Sequence, residues 1–235
     1  MDYRIEKDSM GEVSVPSDKY WGAQTERSKN NFQIGAGFET MPAEIIRAFA
    51  VLKKAAAKAN HALRPEILDN AKLNAICLAC DDILAGKLDE HFPLVVWQTG
   101  SGTHTNMNVN EVIAARAKEI LGDNAINIHP NDDINMSQSS NDTFPTAIHI
   151  SAVLSLKQKL IPCVQNLAKT FRNLEQEHEG VVKIARTHLQ DAVPIAFSQE
   201  ISAWRSSLEH CVSYIEKTIL PLTELSLGAT AVGTG

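Results

Sequence analysis

Two long runs of helical periodicity follow one another in the second half of this chain, and they restrict its fold more than any other feature. In the first, Ile148, Ala152, Ser155, Leu160, Val164, Leu167, Phe171 and Leu174 stay on roughly one side up to Gly180. In the second, Ile195, Phe197, Ile201, Trp204, Leu208, Cys211, Val212 and Ile215 recur in the same way, ending near Pro221. Each apolar stripe needs a partner, so the pair predicts a helical bundle. Pro162 lies inside the first run and predicts a kink there, because proline lacks a backbone donor and clashes one turn back.

The first half is less regular. Gly11, Pro16, Gly22, Gly35 and Gly37 punctuate the first forty residues into short segments that read as either loops or small strands, and no strand is assigned among them. From Pro42 the character turns helical: Ala43 to Ala62 forms one helix, and Pro65 marks the start of a second that runs to about Leu84 and stops at Gly86. Phe92 to Trp97 reads as extended chain, and a further helix ends near Gly122. Asn124 to Asn135 reads as a loop, since His129-Pro130-Asn131-Asp132-Asp133 is turn chemistry.

Three helix openings carry collars of small polar residues. Ser137-Gln138-Ser139-Ser140-Asn141-Asp142 precedes the run that begins at Thr143, Thr99-Gly100-Ser101-Gly102-Thr103 precedes Met107 to Leu121, and Thr187-His188-Leu189-Gln190-Asp191 leads into the last long helix. A helix start has unpaired N–H groups and the positive end of the macrodipole. Small hydroxyl and amide side chains there serve either as ordinary caps or as walls of an anion site. Three collars together suggest a small ligand with more than one negative group.

Composition narrows the remaining classes. A net charge of −6 gives no basic face for nucleic acid, so an anion must be held by local donors. No apolar stretch approaches the roughly 18 uninterrupted residues needed to cross a bilayer, and residues 1–8 look like neither a signal nor a transit peptide, so a cytoplasmic location is expected. Cys77 and Cys80 form a C-x-x-C pair without a second pair, inside an apolar-periodic segment, which reads as helix burial rather than zinc or redox use; Cys163 and Cys211 are read as structural too.

Among eight histidines His188 is the best placed for chemistry, in a collar beside Thr187, since histidine is the side chain best suited to proton transfer near neutral pH; the other reading is a polar turn residue. His104 and His129 lie in or next to loops. No metal motif, no Walker loop, no G-x-G-x-x-G and no G-x-S-x-G elbow occurs, which disfavours metal, nucleotide and serine-hydrolase chemistry.

The collars also match a known family. Gly100-Ser101-Gly102-Thr103 followed by Asn106-Met107-Asn108 and Asn110-Glu111, His129-Pro130-Asn131-Asp132, Ser137 to Asp142, Thr187 to Asp191 and Gly233-Thr234-Gly235 resemble, in order and spacing, the class II fumarate hydratases of the fumarase/aspartase superfamily, from Lys7 to the last residue. Aspartase is similar but carries glutamine in place of His188 and Ser-Thr-Asn in place of Ser139-Ser140-Asn141. The resemblance implies reversible hydration of fumarate to L-malate through an aci-carboxylate, with no metal and no organic cofactor. It implies that Ser101, Gly102, Thr103, Ser139, Ser140, Asn141 and Thr187 bind the substrate carboxylates and that His188 handles the proton of the departing hydroxyl or incoming water. It also implies a secondary anion site at His129, Pro130, Asn131 and Asp132, although the basic residue that relatives place just before it is replaced by Ile126, Asn127 and Ile128.

The resemblance further implies a mainly α fold: an N-terminal, mostly helical lyase domain over residues 1–140, then the first long helices of a central bundle over 141–235. Relatives carry a Gly-Ser-Ser-x-Met-Pro-x-Lys-x-Asn loop farther along, with the serine regarded as the base, and form homotetramers whose sites draw on three subunits. This chain has no such loop, so the fragment alone is expected to be inactive, binding neither nucleic acid nor membrane. Two rivals stay open: an ammonia-lyase of the same superfamily and a non-catalytic assembly module.

Overall fold

The computed structural model describes residues 2–122 and 127–234. The architecture is mainly α, with seven α-helices and two small hairpins among the described residues. Two compact units are present, one of Met1–Ser151 with Leu225–Gly235 and one of Ala152–Glu224. The division thus falls at 151/152, within the helix Ser140–Ser155 and not at the 140/141 boundary expected from sequence, and residues 225–235 go with the first unit.

In the first unit, β1 (Tyr3–Asp8) and β2 (Gly11–Pro16) pair antiparallel from Tyr3↔Pro16 to Asp8↔Gly11. Sequence reading found no strand here, yet Val13 and Val15 alternate with polar neighbours, and Val15 is fully buried. Glycines and prolines hid a hairpin too short to show a long pattern. Arg4 clamps it: Nη1 donates to Pro16 O at 2.8 Å and Lys19 O at 2.7 Å, and Nη2 to Trp21 O at 2.7 Å.

After α1 (Ala23–Asn31) come the three helices that make the core, α2 (Ala43–Leu63), α3 (Asn70–Leu84) and α4 (Thr103–Leu121). Their stripes meet through Ile46 and Phe49 of α2, Ile76 and Ile83 of α3, and Val109, Val112 and Ile113 of α4, all nearly or fully buried. Each such side chain stabilises the folded state by roughly 1.5–3 kcal/mol relative to exposure. Helix α3 starts at Asn70, not Pro65: the Asp69 side chain accepts from Lys72 N at 2.9 Å. Pro65 instead follows the C-cap of α2, where Ile67 N and Leu68 N close a turn on Arg64 O. Phe92–Trp97 is extended in part, with a bridge between Thr40 and Val95.

Residues 123–126 lie outside the described residues, which cover 127–135 of the predicted 124–135 loop. There Pro130–Ile134 forms a single π-helical turn rather than open loop. Then α5 (Ser140–Ser155) begins three residues before Thr143, which places Ser140 to Asp142 inside its first turn.

Helix α5 continues through a π turn at Leu156–Leu160 into α6 (Ile161–Glu177), a helical path of 38 residues. The π turn is the response to Pro162. Ile161 N bonds Leu156 O, five residues back, so the wider turn accommodates the ring where a regular turn would clash. By length and composition this helix meets the minimum for crossing a membrane, a test that core helices of soluble proteins also pass.

The second unit is completed by α6, a hairpin and α7 (Phe197–Ile219). The Phe171 and Trp204 rings lie 5.9 Å apart and the His178 and Phe197 rings 5.3 Å apart, so the end of α6 meets the start of α7 and the two helices run antiparallel, with Arg205 Nε on Glu175 and Arg172 on Glu209, each at 2.6 Å. Cys80 is buried and Cys77 partly so, but Cys163 and Cys211 are exposed, which corrects their reading as buried structural residues. They lie on faces of α6 and α7 that this unit does not cover.

Gly102 sits where α4 meets α5. Its φ is +71°, and a Cβ there would fall 2.1 Å from Phe144 Cγ. Gly102→Ala therefore combines backbone strain with overpacking, and a loss of about 2–4 kcal/mol is expected. Thermal or denaturant unfolding of the variant beside the parent measures it; equal midpoints would show that Phe144 moves aside at no cost.

Candidate functional site

The first two collars meet within one chain. Gly102 is the N-cap of α4 and supplies no side chain, so the start of this helix is left to its surroundings. Gln98 takes part of the load, accepting from Thr105 N at 3.0 Å and donating to Thr105 Oγ1 at 2.7 Å. The Thr103 and His104 N–H groups have no hydrogen-bond partner among the described residues.

At α5 the ordinary cap is present. Ser139 Oγ accepts from Asn141 N at 3.2 Å, and Asp142 Oδ1 accepts from Ser139 N at 3.2 Å, the reciprocal arrangement of a capping box. Ser139 is thus engaged as a cap, whereas Ser140 and Asn141 present their side chains outside that pair. Ser101 Oγ lies 3.0 Å from Thr103 Oγ1, which lies 3.0 Å from Ser140 Oγ. A chain of three hydroxyls therefore joins the mouths of α4 and α5. Each mouth carries a positive end of about half an elementary charge, so their convergence favours a negative ligand.

The third collar is corrected by the structure. Instead of opening a helix, it is the tip of a hairpin in the second unit, between β3 (Val182–Thr187) and β4 (Gln190–Ala196), with Thr187 paired to Gln190. Helix α7 starts only at Phe197. The two turn residues, His188 and Leu189, have φ of +47° and +63°, the left-handed pair that a two-residue hairpin needs. Asn and Gly usually fill such turns, so His-Leu gave no turn signal, and the period-two strands beside it were read as the approach to a helix. Left-handed leucine is uncommon, and strain of this kind concentrates at functional positions. Thr187, His188 and Leu189 are all exposed.

His129, Pro130, Asn131 and Asp132 share the single π turn, with His129 as its N-cap and Pro130 at its first position. His129 Nδ1 accepts from Asp132 N at 3.3 Å and lies 3.1 Å from Asp132 Oδ2. Asp133 is buried, accepts from His129 N at 2.7 Å and pairs with Lys72 Nζ at 2.7 Å. Residue 126, part of the segment that lacks the relatives' basic residue, lies outside the described residues; Asn127 is exposed and Ile128 fully buried.

Beneath the second collar lies a buried polar network that sequence reading passed over. Lys53, 1% exposed, donates to Asn135 Oδ1 and Gln138 Oε1, each at 2.9 Å. Asn135 Oδ1 also accepts from Asn106 and Asn110, and Thr143 Oγ1 lies 3.2 Å from Asn106 Oδ1. Burial pulls the Lys53 ammonium down to about 7, partly offset by the Asp142 carboxylate. In an unfolded chain the same group titrates near 10.5, so between about pH 7 and 10.5 unfolding takes up a proton, and this residue's contribution to stability rises with pH across that window. Below it the folded state holds a costly buried charge. The signal was available: Ile46, Ala50, Lys53 and Ala57 share one face of α2, and a lysine in a core position asks for a reason.

Asp142 is fully buried and reaches the other way. Its Oδ2 accepts from Gly228 N at 3.3 Å and Thr230 N at 3.1 Å, so the Gly- and Thr-rich segment near the end of the chain is fastened to the start of α5. Gly235, the last residue of the Gly-Thr-Gly match, lies outside the described residues. His104, which follows the Thr99–Thr103 collar, faces α1, with Ser28 Oγ 2.7 Å from its Nδ1 and Phe32 against its ring; burial holds its titration below the usual range.

With this geometry in view, comparison with known proteins is informative. A family model described as lyase matches residues 11–235. The class II fumarate hydratase of Haemophilus influenzae is 57% identical over all of this chain and 51% of its own length, and that of Campylobacter jejuni is 56% identical over all of this chain and 50% of its own. The crystal structure of a class II fumarase from Schistosoma mansoni superposes with a TM-score of 0.93 at 41% identity, covering 99% of this chain and 49% of that one. The chain spans about half the length of the curated relatives it matches. It belongs to the lyase family, among proteins whose near relatives are named class II fumarate hydratases.

Proposed function

We propose that the complete protein is a fumarate hydratase and that this chain supplies the carboxylate-binding part of its site. The observation that carries the reading is the Thr103–Ser140 hydroxyl contact, which brings two helix mouths to one place. Abstraction of a proton next to a carboxylate turns that carboxylate into an aci-form with extra negative charge. Fixed N–H, hydroxyl and amide donors stabilise that charge without reorganising, and this is the usual source of most rate acceleration in such steps. Ser101, Gly102, Thr103, Ser139, Ser140 and Asn141 are the donors of this proposal, with Thr187 joining them and His188 moving the proton on the hydroxyl or water.

The exposed hairpin tip fits a residue that works in a site completed by another copy, and the family resemblance makes that assembly a tetramer. Apolar side chains left in solvent in the second unit, among them Leu160, Leu167 and Leu220, are consistent with association. A cytoplasmic setting belongs to the same reading.

The full-length protein assayed on fumarate, by loss of the substrate's ultraviolet absorbance, is expected to show turnover. Ammonia release from aspartate without fumarate hydration would instead assign it to the amino-acid lyases, and silence with both would leave an assembly role. His188→Asn in that protein is expected to lower kcat by about 100-fold or more while KM changes little, the size typical of a lost acid–base group; an unchanged kcat removes His188 from the chemistry. Ser140→Ala is expected to weaken substrate binding by roughly tenfold, the worth of one hydrogen bond to a charged group, read as a rise in KM. An unaltered KM would mean that the hydroxyl chain is merely a link between helices.

A further inference from the structure

We propose that Lys53 is a positioning residue for the second collar: its ammonium holds Asn135 and Gln138 from beneath, and through them the Met136–Ser139 turn, so that the Ser140 and Asn141 donors stay aimed at one anionic group. The inference rests on the carboxylate-binding role given to that collar above. Asn135 Nδ2 donates to Gln138 O at 3.0 Å, and Gln138 Nε2 donates to Ile134 O at 3.1 Å and Met136 O at 3.0 Å, so the two amides that Lys53 grips are the ones that shape the turn. Ser137, inside it, has a φ of +60°, a conformation that needs support from its surroundings. An apolar residue at position 53 would fill the space and spare the desolvation of a charge. Asparagine and glutamine oxygens facing α2 would then lose their donor, and the turn its anchor.

The groups facing Lys53 are few. From α3 comes Cys80, whose thiol burial pushes far up, so it is neutral at ordinary pH. From α5 comes the Asp142 carboxylate, which favours the charged lysine. From the π turn and the loop after it come Asn135 and Gln138, both neutral, while Asp133 is taken by Lys72. From α4 come the amides of Asn106 and Asn110, through Asn135. With a free-state titration near 7, Lys53 loses its charge as pH rises through neutrality. A bound dianion above it favours the charged form, so binding takes up a proton on the alkaline side of that point and weakens as pH increases.

The test uses the full-length protein, with kcat and KM for fumarate followed on both sides of pH 7 and binding of succinate, an unreactive dicarboxylate, followed by calorimetry in buffers of different ionisation enthalpy. In the parent, kcat/KM is expected to fall along an alkaline limb centred near 7, and succinate binding to take up a proton there. Lys53→Met is expected to lose both signatures and, at pH 6, to raise KM about tenfold with a smaller change in kcat. Gln138→Glu places a carboxylate against the ammonium and is expected to move the limb to higher pH, a direction that a lost structural strut would not produce. The proposal is overturned if Lys53→Met keeps the parental KM and pH profile or, should that variant fail to fold, if Gln138→Glu leaves the limb in place. A parent that binds succinate with proton uptake but does not hydrate fumarate would refute the hydratase reading and leave Lys53 supported; a parent that does neither would refute both.

Discussion

The binding site proposed for the first unit depends on two helices starting at the same place. The mouths of α4 and α5 are each the positive end of a dipole, and bringing them within a hydroxyl contact is unfavourable unless the surroundings supply compensation. The chain compensates with oxygen: Gln98 at Thr105, the Ser139–Asp142 box, and the Ser101–Thr103–Ser140 hydroxyls. Close approach at Gly102, which leaves no room for a Cβ beside Phe144, is what permits it.

A second feature follows from the first. The turn that enters α5 has no apolar core of its own, and it is held by polar residues sealed beneath it. A network of Lys53, Asn135, Gln138, Asn106, Asn110 and Thr143 is rigid when its members are satisfied and costly when they are not. One cost is visible, since Asn110 Oδ1 is buried without a hydrogen-bond partner among the described residues. Asp142 extends the same support to the Gly228–Thr230 segment, so one carboxylate fixes both a helix start and a loop distant in sequence.

Much of this was legible in the chain. The long periodic runs gave α5 to α7, the alanine-rich stretch gave α2, glycines at 86 and 122 marked helix ends, and the mainly helical class followed. Ser and Gly collars marked where α4 and α5 begin, because cap chemistry is local. The collar around His188 was misread, since the same polar residues also suit a tight turn, and only the pairing of Val182–Thr187 with Gln190–Ala196 separates the two. Pro65 was misread for a similar reason: a proline beside a helix is compatible with its start or with the end of the previous one.

What the sequence determined alone is therefore the set of helices and the small polar residues at their starts, because helical period and capping act between residues a few positions apart. Tertiary structure decided which starts meet, that His188 rides on a hairpin tip, and that a lysine in a helix stripe lies under a collar rather than in water. Those outcomes depend on contacts such as Thr103 with Ser140 and Lys53 with Gln138, between residues 37 and 85 positions apart, whose proximity no local pattern encodes.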